Sequence, residues 1–192
     1  MKITVCCLAA GESTRFKGEK LLHVYRKKTI TEHVLDKINL LNDNDLVYFQ
    51  RVVITKPPLL NFYQQRLSDD WILIKNESYK NGMSTSLKLA AFEAIQNKAD
   101  FILLFLADMP MIKLTTINLV IEKALESPEK IIRPYFESRP GFPVALPNVF
   151  FDELTLLTGD IGAKPVIDRH IEDLLRIDCN DPGSIFDIDE DI

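Results

Sequence analysis

The chain has 192 residues, 46% of them hydrophobic and 27% charged, the composition of an ordinary globular protein with a sizeable core and room for one domain. Its net charge of -5 carries no global basic signature for nucleic acid, and its longest apolar runs are far too short to cross a bilayer. Cys6, Cys7 and Cys179 have no metal-ligand spacing and the run after Lys2 is too short for a signal peptide, so core packing in a reducing cytoplasm is expected.

In chain order, residues 1–8 read as a strand whose apolar run, Ile3 to Leu8, stops abruptly in small residues. A polar, basic loop over 9–28 follows. Thr29-Ile30-Thr31-Glu32 carries a threonine cap signal, and Ile30, Val34, Leu35, Ile38 and Leu41 then recur at helical spacing. Val47 to Thr55 reads as a second buried strand, and Lys56-Pro57-Pro58 ends it and opens a helix over Leu59 to Leu67. Trp71 to Ile74 is a short third strand. After the Gly82 turn, a serine or threonine is expected to cap a helix running to about Asn97.

Phe101 to Leu106 is continuously apolar, as in a central strand covered on both faces, and a helix over Thr115 to Leu125 follows it. Strands alternating with helices predict right-handed parallel βαβ units. After Lys130 the rhythm changes. Lys130 to Phe136 and Phe142 to Leu146 read as strands joined by a loop over Glu137 to Gly141, with no helix between them, so an antiparallel excursion or insertion is expected. Helices over Phe150 to Leu157 and Asp160 to His170, a strand over Leu174 to Asp178 and a closing segment, Ile185 to Asp189, complete the chain.

Two places can carry chemistry. Leu8-Ala9-Ala10-Gly11-Glu12-Ser13-Thr14-Arg15, with Lys20 beyond it, leaves the carboxyl end of the first strand, where open α/β sheets bind ligands. Small residues let backbone approach a ligand closely, and the two cations suit a polyphosphate. Lys17, Arg26, Lys27 and Lys28 enlarge the local cationic cluster, although Arg26-Lys27-Lys28 reads better as a solvated turn. The loop is not a P-loop, lacking Gly-Lys-Ser/Thr, nor a dinucleotide fingerprint, lacking Gly-x-Gly. Asp108 stands at the mouth of the most apolar strand, as either a turn cap before Pro110 or a Mg²⁺ ligand acting together with substrate phosphates. The cationic loop favours the metal reading. His23, His33 and His170 show no ligand spacing, and Asp160 reads as a helix cap ahead of Gly162.

The loop resembles the signature of the MobA-like nucleotidyltransferase superfamily, and most closely its molybdenum cofactor cytidylyltransferase branch. Further segments fall in order: Asn81-Gly82-Met83-Ser84-Thr85-Ser86-Leu87 is similar to a Gly-Met-Ser-x-Ser-Leu segment, and Leu106-Ala107-Asp108-Met109-Pro110 to a metal-binding strand end. Arg139-Pro140-Gly141-Phe142-Pro143-Val144 resembles a Pro-Gly-His-Pro loop, Thr158-Gly159-Asp160-Ile161-Gly162-Ala163-Lys164 a Gly-Asp-x-Gly-Ala-Arg turn, and Phe186-Asp187-Ile188-Asp189 a closing Asp-Ile-Asp. The resemblance implies a three-layer α/β/α Rossmann-like fold with a mostly parallel mixed sheet. It also implies one domain over 1–192, with the nucleotide part over about 1–115 and the acceptor part over about 116–192.

The implied reaction is transfer of CMP from CTP to a molybdopterin-type acceptor, with Mg²⁺ as cofactor and release of pyrophosphate. Arg15, Lys20 and Asp108 would be catalytic. Leu8, Ala9, Ala10, Gly11, Glu12, Ser13, Arg15, Lys20, Gly82 and Ser84 would bind nucleotide. Ser86, Gly141, Phe142 and Pro143 would meet the acceptor, and Asp108 with Asp187 would hold the metal, a structural role for Asp187 remaining equally open. A molybdoenzyme or its maturation factor is a further implied partner. Alternatives are transfer to another phosphorylated small molecule, such as a sugar or alditol phosphate, and a non-catalytic cofactor-delivery chaperone. The chain departs from the pattern at Lys17-Gly18, where glycine normally stands one position earlier, at Phe142 in place of histidine, at Lys164 in place of arginine, and in lacking Thr-Pro after Asp189.

Overall fold

A computed structural model describes residues 1–12, 16 and 18–188. Eight strands make one mixed sheet: β1 (Lys2–Ala9), β4 (Tyr48–Thr55), β5 (Trp71–Lys75), β6 (Phe101–Leu106), β7 (Ile131–Phe136), β8 (Arg139–Pro140), β9 (Val144–Pro147) and β10 (Leu174–Asp178). The order is β10-β7-β9-β6-β1-β4-β5, with β8 folded back on β7. β1 lies parallel between β4 and β6, with Leu8 level with Ile54 on one side and Leu106 on the other. The carboxyl ends of the three central strands therefore form one edge. Two short strands, β2 (Val24–Tyr25) and β3 (Lys28–Thr29), form a separate hairpin whose exposed turn, Arg26-Lys27, takes left-handed φ angles.

Alternation along the strands sorts side chains to two faces. Ile3, Val5, Cys7 and Ala9 of β1 pack with α1 (Ile30–Asn39), α2 (Leu60–Gln64) and α4 (Leu114–Glu126). Cys6 and Leu8 pack with α3 (Met83–Gln96), α5 (Phe151–Leu156) and α6 (Lys164–Arg169) on the other face. The result is the expected three-layer α/β/α, mostly parallel arrangement, with both cysteines of the adjacent pair buried on opposite sides. Thr29 caps α1 through a complete capping box with Glu32, as its sequence indicates. No helix among the described residues is long and apolar enough to cross a membrane.

The excursion after β7 takes a definite form. β9 enters the sheet antiparallel to both β6 and β7, so it separates two parallel sets of strands. The expected loop over 137–141 is a tight hairpin, since Glu137 and Ser138 both adopt left-handed φ and β8 pairs at once with β7. Other elements are shorter than expected. The helix over 59–67 is a 3-10 turn, Pro57–Leu59, followed only by α2. The helix over 160–170 starts at Lys164, because Pro165 fits only the first turn. The closing segment forms no strand through Ile188; it follows a 3-10 turn at Pro182–Ser184, and Asp189 lies outside the described residues.

Candidate active site

Where β1 and β6 end, the side chains shrink and the chain turns away, leaving a cleft of about 700 Å³, in the range of small-molecule sites. Its floor is Leu8, Ala10, Gly11 and Leu106; Glu12, Lys20 and Leu21 form one wall, and Asn81, Gly82, Met83 and Ser86 the other. Asp108 and Asp160 reach it from β6 and from the loop before α6. A Cβ built on Gly11 meets nothing within 4 Å, so the missing side chain leaves space to the cleft rather than relieving a clash inside the protein. Gly18, at φ +92°, occupies a conformation that favours glycine, which accounts for glycine at that position of the loop.

The charged pair at the centre is Lys20 and Asp108. Lys20 lies on a 3-10 turn, Lys20–Leu22, anchored by the buried Leu21, and its ammonium stands 2.8 Å from Asp108 Oδ2. The Lys20 side chain is 9% exposed and that of Asp108 is 24% exposed, so the anion is the more accessible partner. The preceding residue faces the other way: Glu19 pairs with Lys56 Nζ at 2.8 Å, just past the end of β4. Adjacent residues thus tie the loop to the strands on both sides of β1.

The opposite wall depends on Gly82. At φ +98° and ψ 174° it has a backbone open essentially to glycine alone, and a Cβ there would stand 2.4 Å from Asp160 Cα. The expected serine or threonine cap on α3 is absent. Gly82 is the N-cap, and Asp160 Oδ1, from the loop before α6, accepts from the Met83 N–H at 3.0 Å. Asp160 is therefore a cap, but of α3 rather than of the helix that follows it. Its oxygen satisfies an orphan donor of a helix distant in sequence. Ser86, in the first turns of α3, is buried and accepts a hydrogen bond at 2.9 Å from the Asn76 amide.

Leu8, Ala10, Gly11, Glu12, Lys20, Gly82, Ser86 and Asp108 are thus brought together as expected. Others are not. Ala9 is buried beneath the floor, in the core shared with α1. Ser84 is buried with its N–H directed to the Gly159 carbonyl and does not line the cleft. Gly141, Phe142 and Pro143 also lie outside the lining; Phe142 packs on the core cluster of α3, α5 and α6 with the Arg133 guanidinium 5.7 Å from its ring. Of the cationic stretch, Arg26, Lys27 and Lys28 are on the exposed hairpin turn, away from the cleft. Ser13, Arg15 and Lys17 lie outside the described residues. Asp187 is exposed, and the neighbouring Ile188 N–H bonds the Asp108 carbonyl at 3.1 Å, which brings the closing segment to the β6 strand end.

Sequence reasoning missed Tyr79, Lys80 and Met83 as lining residues, and Lys56 behind the loop. The available signals were a cation just before the Gly82 turn and another at the end of a parallel strand. Among the described residues no group of three or more His, Cys, Asp or Glu side chains could hold a metal by itself. The lining holds Glu12, Asp108 and Asp160 against Lys20 and Lys80, so its described charges do not by themselves neutralise a triphosphate. Hard carboxylate oxygens beside a phosphate-sized space fit a divalent cation shared with the ligand's phosphates, the usual mode for Mg²⁺.

This edge of a mixed sheet, with a small-residue strand end and a lysine–aspartate pair, coincides with a family model, the MobA-like NTP transferase domain, matched over residues 5–174. The chain belongs to that family. The MobA-like fold is shared with solved structures of low sequence identity. Rv0371C of Mycobacterium tuberculosis H37Rv, solved in complex with manganese, is 22% identical at a TM-score of 0.73, over 92% of this chain and 88% of that one. A nucleotidyl transferase from Methanothermobacter thermautotroptrophicus is 18% identical at a TM-score of 0.76, over 98% and 92%. The 4-diphosphocytidyl-2C-methyl-D-erythritol synthase of Anaerococcus prevotii DSM 20548 is 8% identical at a TM-score of 0.74, over 97% and 90%. Among curated protein sequences, none matches this MobA-like chain.

Proposed function

We propose that this nucleotidyltransferase moves a cytidylyl group from CTP to a molybdopterin-type phosphorylated acceptor, using a divalent cation. The observation that carries the reading is the Lys20–Asp108 pair set in the cleft beyond the ends of β1 and β6. A phosphate oxygen of the acceptor attacks the α-phosphorus, the bond from that phosphorus to the oxygen bridging to the β-phosphate breaks, and pyrophosphate leaves with the electron pair. The attacking group is already an anion, so no side chain needs to remove a proton. Catalysis is then positioning and charge neutralisation.

Lys20 is placed to leave Asp108 for the triphosphate and to stabilise the charge growing on the leaving pyrophosphate. Asp108, with Asp187 as second carboxylate, would hold the cation. Bound there, a divalent ion supplies charge neutralisation at the phosphates, and the manganese complex of Rv0371C is consistent with that requirement. The floor backbone at Ala10 and Gly11 admits the nucleotide, while Gly82 and Ser86 border it on the α3 side. The acceptor part falls in the second half of the chain, beyond about residue 115. Phe142 favours a second reading within the same chemistry: its apolar ring stands where the resembled motif carries histidine, so a sugar or alditol phosphate is the alternative acceptor.

The test is pyrophosphate release with each of the four triphosphates, with Mg²⁺ or Mn²⁺, and with reduced molybdenum cofactor or an alditol phosphate as acceptor. CTP with the cofactor is expected to give the highest rate. Retained nucleotide binding with no release under any condition would instead favour a delivery chaperone. Asp108→Asn is expected to lower turnover by at least about 10²-fold with unchanged circular dichroism; wild-type turnover in that variant would remove the metal assignment.

A further inference from the structure

Lys56 directly follows β4, and only 3% of it is exposed. A buried ammonium is costly unless its charge is matched and its protons are taken up. Glu19 supplies the opposite charge at 2.8 Å, and the carbonyl of Gly11 accepts a hydrogen bond from the ammonium at 2.9 Å. Gly11 lines the cleft, whereas Lys56 does not. The ammonium therefore holds the Gly11 carbonyl from behind. In a planar trans peptide the carbonyl and the following N–H point in opposite directions, so this contact turns the Glu12 N–H to the cleft side. That N–H takes no acceptor among the described residues.

We propose that Lys56 is a positioning residue for nucleotide binding, fixing the Gly11–Glu12 peptide so that its N–H is presented to an anionic oxygen of the triphosphate. The assignment rests on the nucleotidyltransferase reading of the cleft. It has a second support in Gly11, whose missing side chain leaves the approach to that N–H open. Glu19 has two consequences here: it neutralises Lys56, and it fixes the chain just before Lys20.

The test uses the full chain with CTP and Mg²⁺ as probe. In wild type, the Glu12 amide resonance is expected to shift on titration with CTP. A Glu12 amide that does not move while CTP binds overturns the proposal. Lys56→Met leaves Glu19 without its partner and is compared with the charge-balanced double variant Lys56→Met/Glu19→Gln. Both are expected to bind CTP about tenfold or more weakly, the loss expected for a hydrogen bond to a charged group. The double variant is expected to melt closer to wild type than the single one. A double variant that binds CTP as tightly as wild type sinks the positioning role while leaving the functional reading intact. A wild-type chain that binds none of the four triphosphates removes the functional reading, and this assignment with it.

Discussion

At the residue scale the site depends on what a few ionic side chains have to do before they can act. Lys20 and Asp108 neutralise each other at 2.8 Å, so a metal and a triphosphate arriving together exchange one ion pair for two. Each ligand is therefore expected to bind more tightly in the presence of the other, as read by calorimetry. Lys20→Ala is expected to lower kcat on the order of 10²-fold while changing triphosphate affinity much less, since its charge matters most as pyrophosphate forms. Lost affinity with unchanged kcat would mean that Lys20 only binds. Asp108 was legible because it stands at a strand end after an apolar run, and Lys20 because it belongs to the basic loop that leaves another strand end. Lys56 was not, because a lysine before Pro57-Pro58 reads as a solvated strand terminus. Only the fold shows that it is covered.

At the element scale, the start of α3 is held by a loop from the other half of the chain. Asp160→Ala is expected to cost about 1 kcal/mol in urea unfolding, the usual loss for a missing cap, and Asp160→Asn to restore most of it. Gly82→Ala meets Asp160 directly and leaves the backbone strained, so a loss of about 2 kcal/mol or more is expected, together with weaker nucleotide binding. The Gly82 turn could be read from sequence, but its reason could not. The motif suggested a local serine or threonine cap, whereas the acceptor of the Met83 N–H is distant in sequence. The short α2 and the late start of α6 have a related cause, since periodicity shows which residues can be buried but not where the turns around them stop.

At the scale of the whole molecule, two cores lie back to back across the sheet, and β1 contributes to both through adjacent cysteines. Burial, with lesser contributions from Cys7 and Glu93, pushes the Cys6 thiol well above its usual range; burial, with a lesser contribution from Asp108, does the same to Cys7. The folded state therefore keeps these protons at pH values where the unfolded chain releases them. Their contribution to stability is present below the ordinary thiol value, about 8.5, and is lost as pH rises above it. A thiol reagent at pH 8 is expected to modify Cys179 in the native protein and all three cysteines in urea, and rapid native labelling of Cys6 or Cys7 would contradict this packing. The parallel core was legible from unbroken apolar runs. The placement of β9 was not, because nothing local in Val144 to Pro147 specifies that it enters between β6 and β7.

The back-to-back pairing of Glu19 and Lys20 bears on how this loop tolerates insertions and deletions. One lysine, Lys56, meets the stretch at Gly11 and again at Glu19, so both ends are moored to a single point beside β4. An added residue between Glu19 and Lys20 would turn one of the two side chains away from its strand. Gly18 stands immediately upstream of that fixed dipeptide. Functional versions of this loop are accordingly expected to keep Glu19 and Lys20 adjacent.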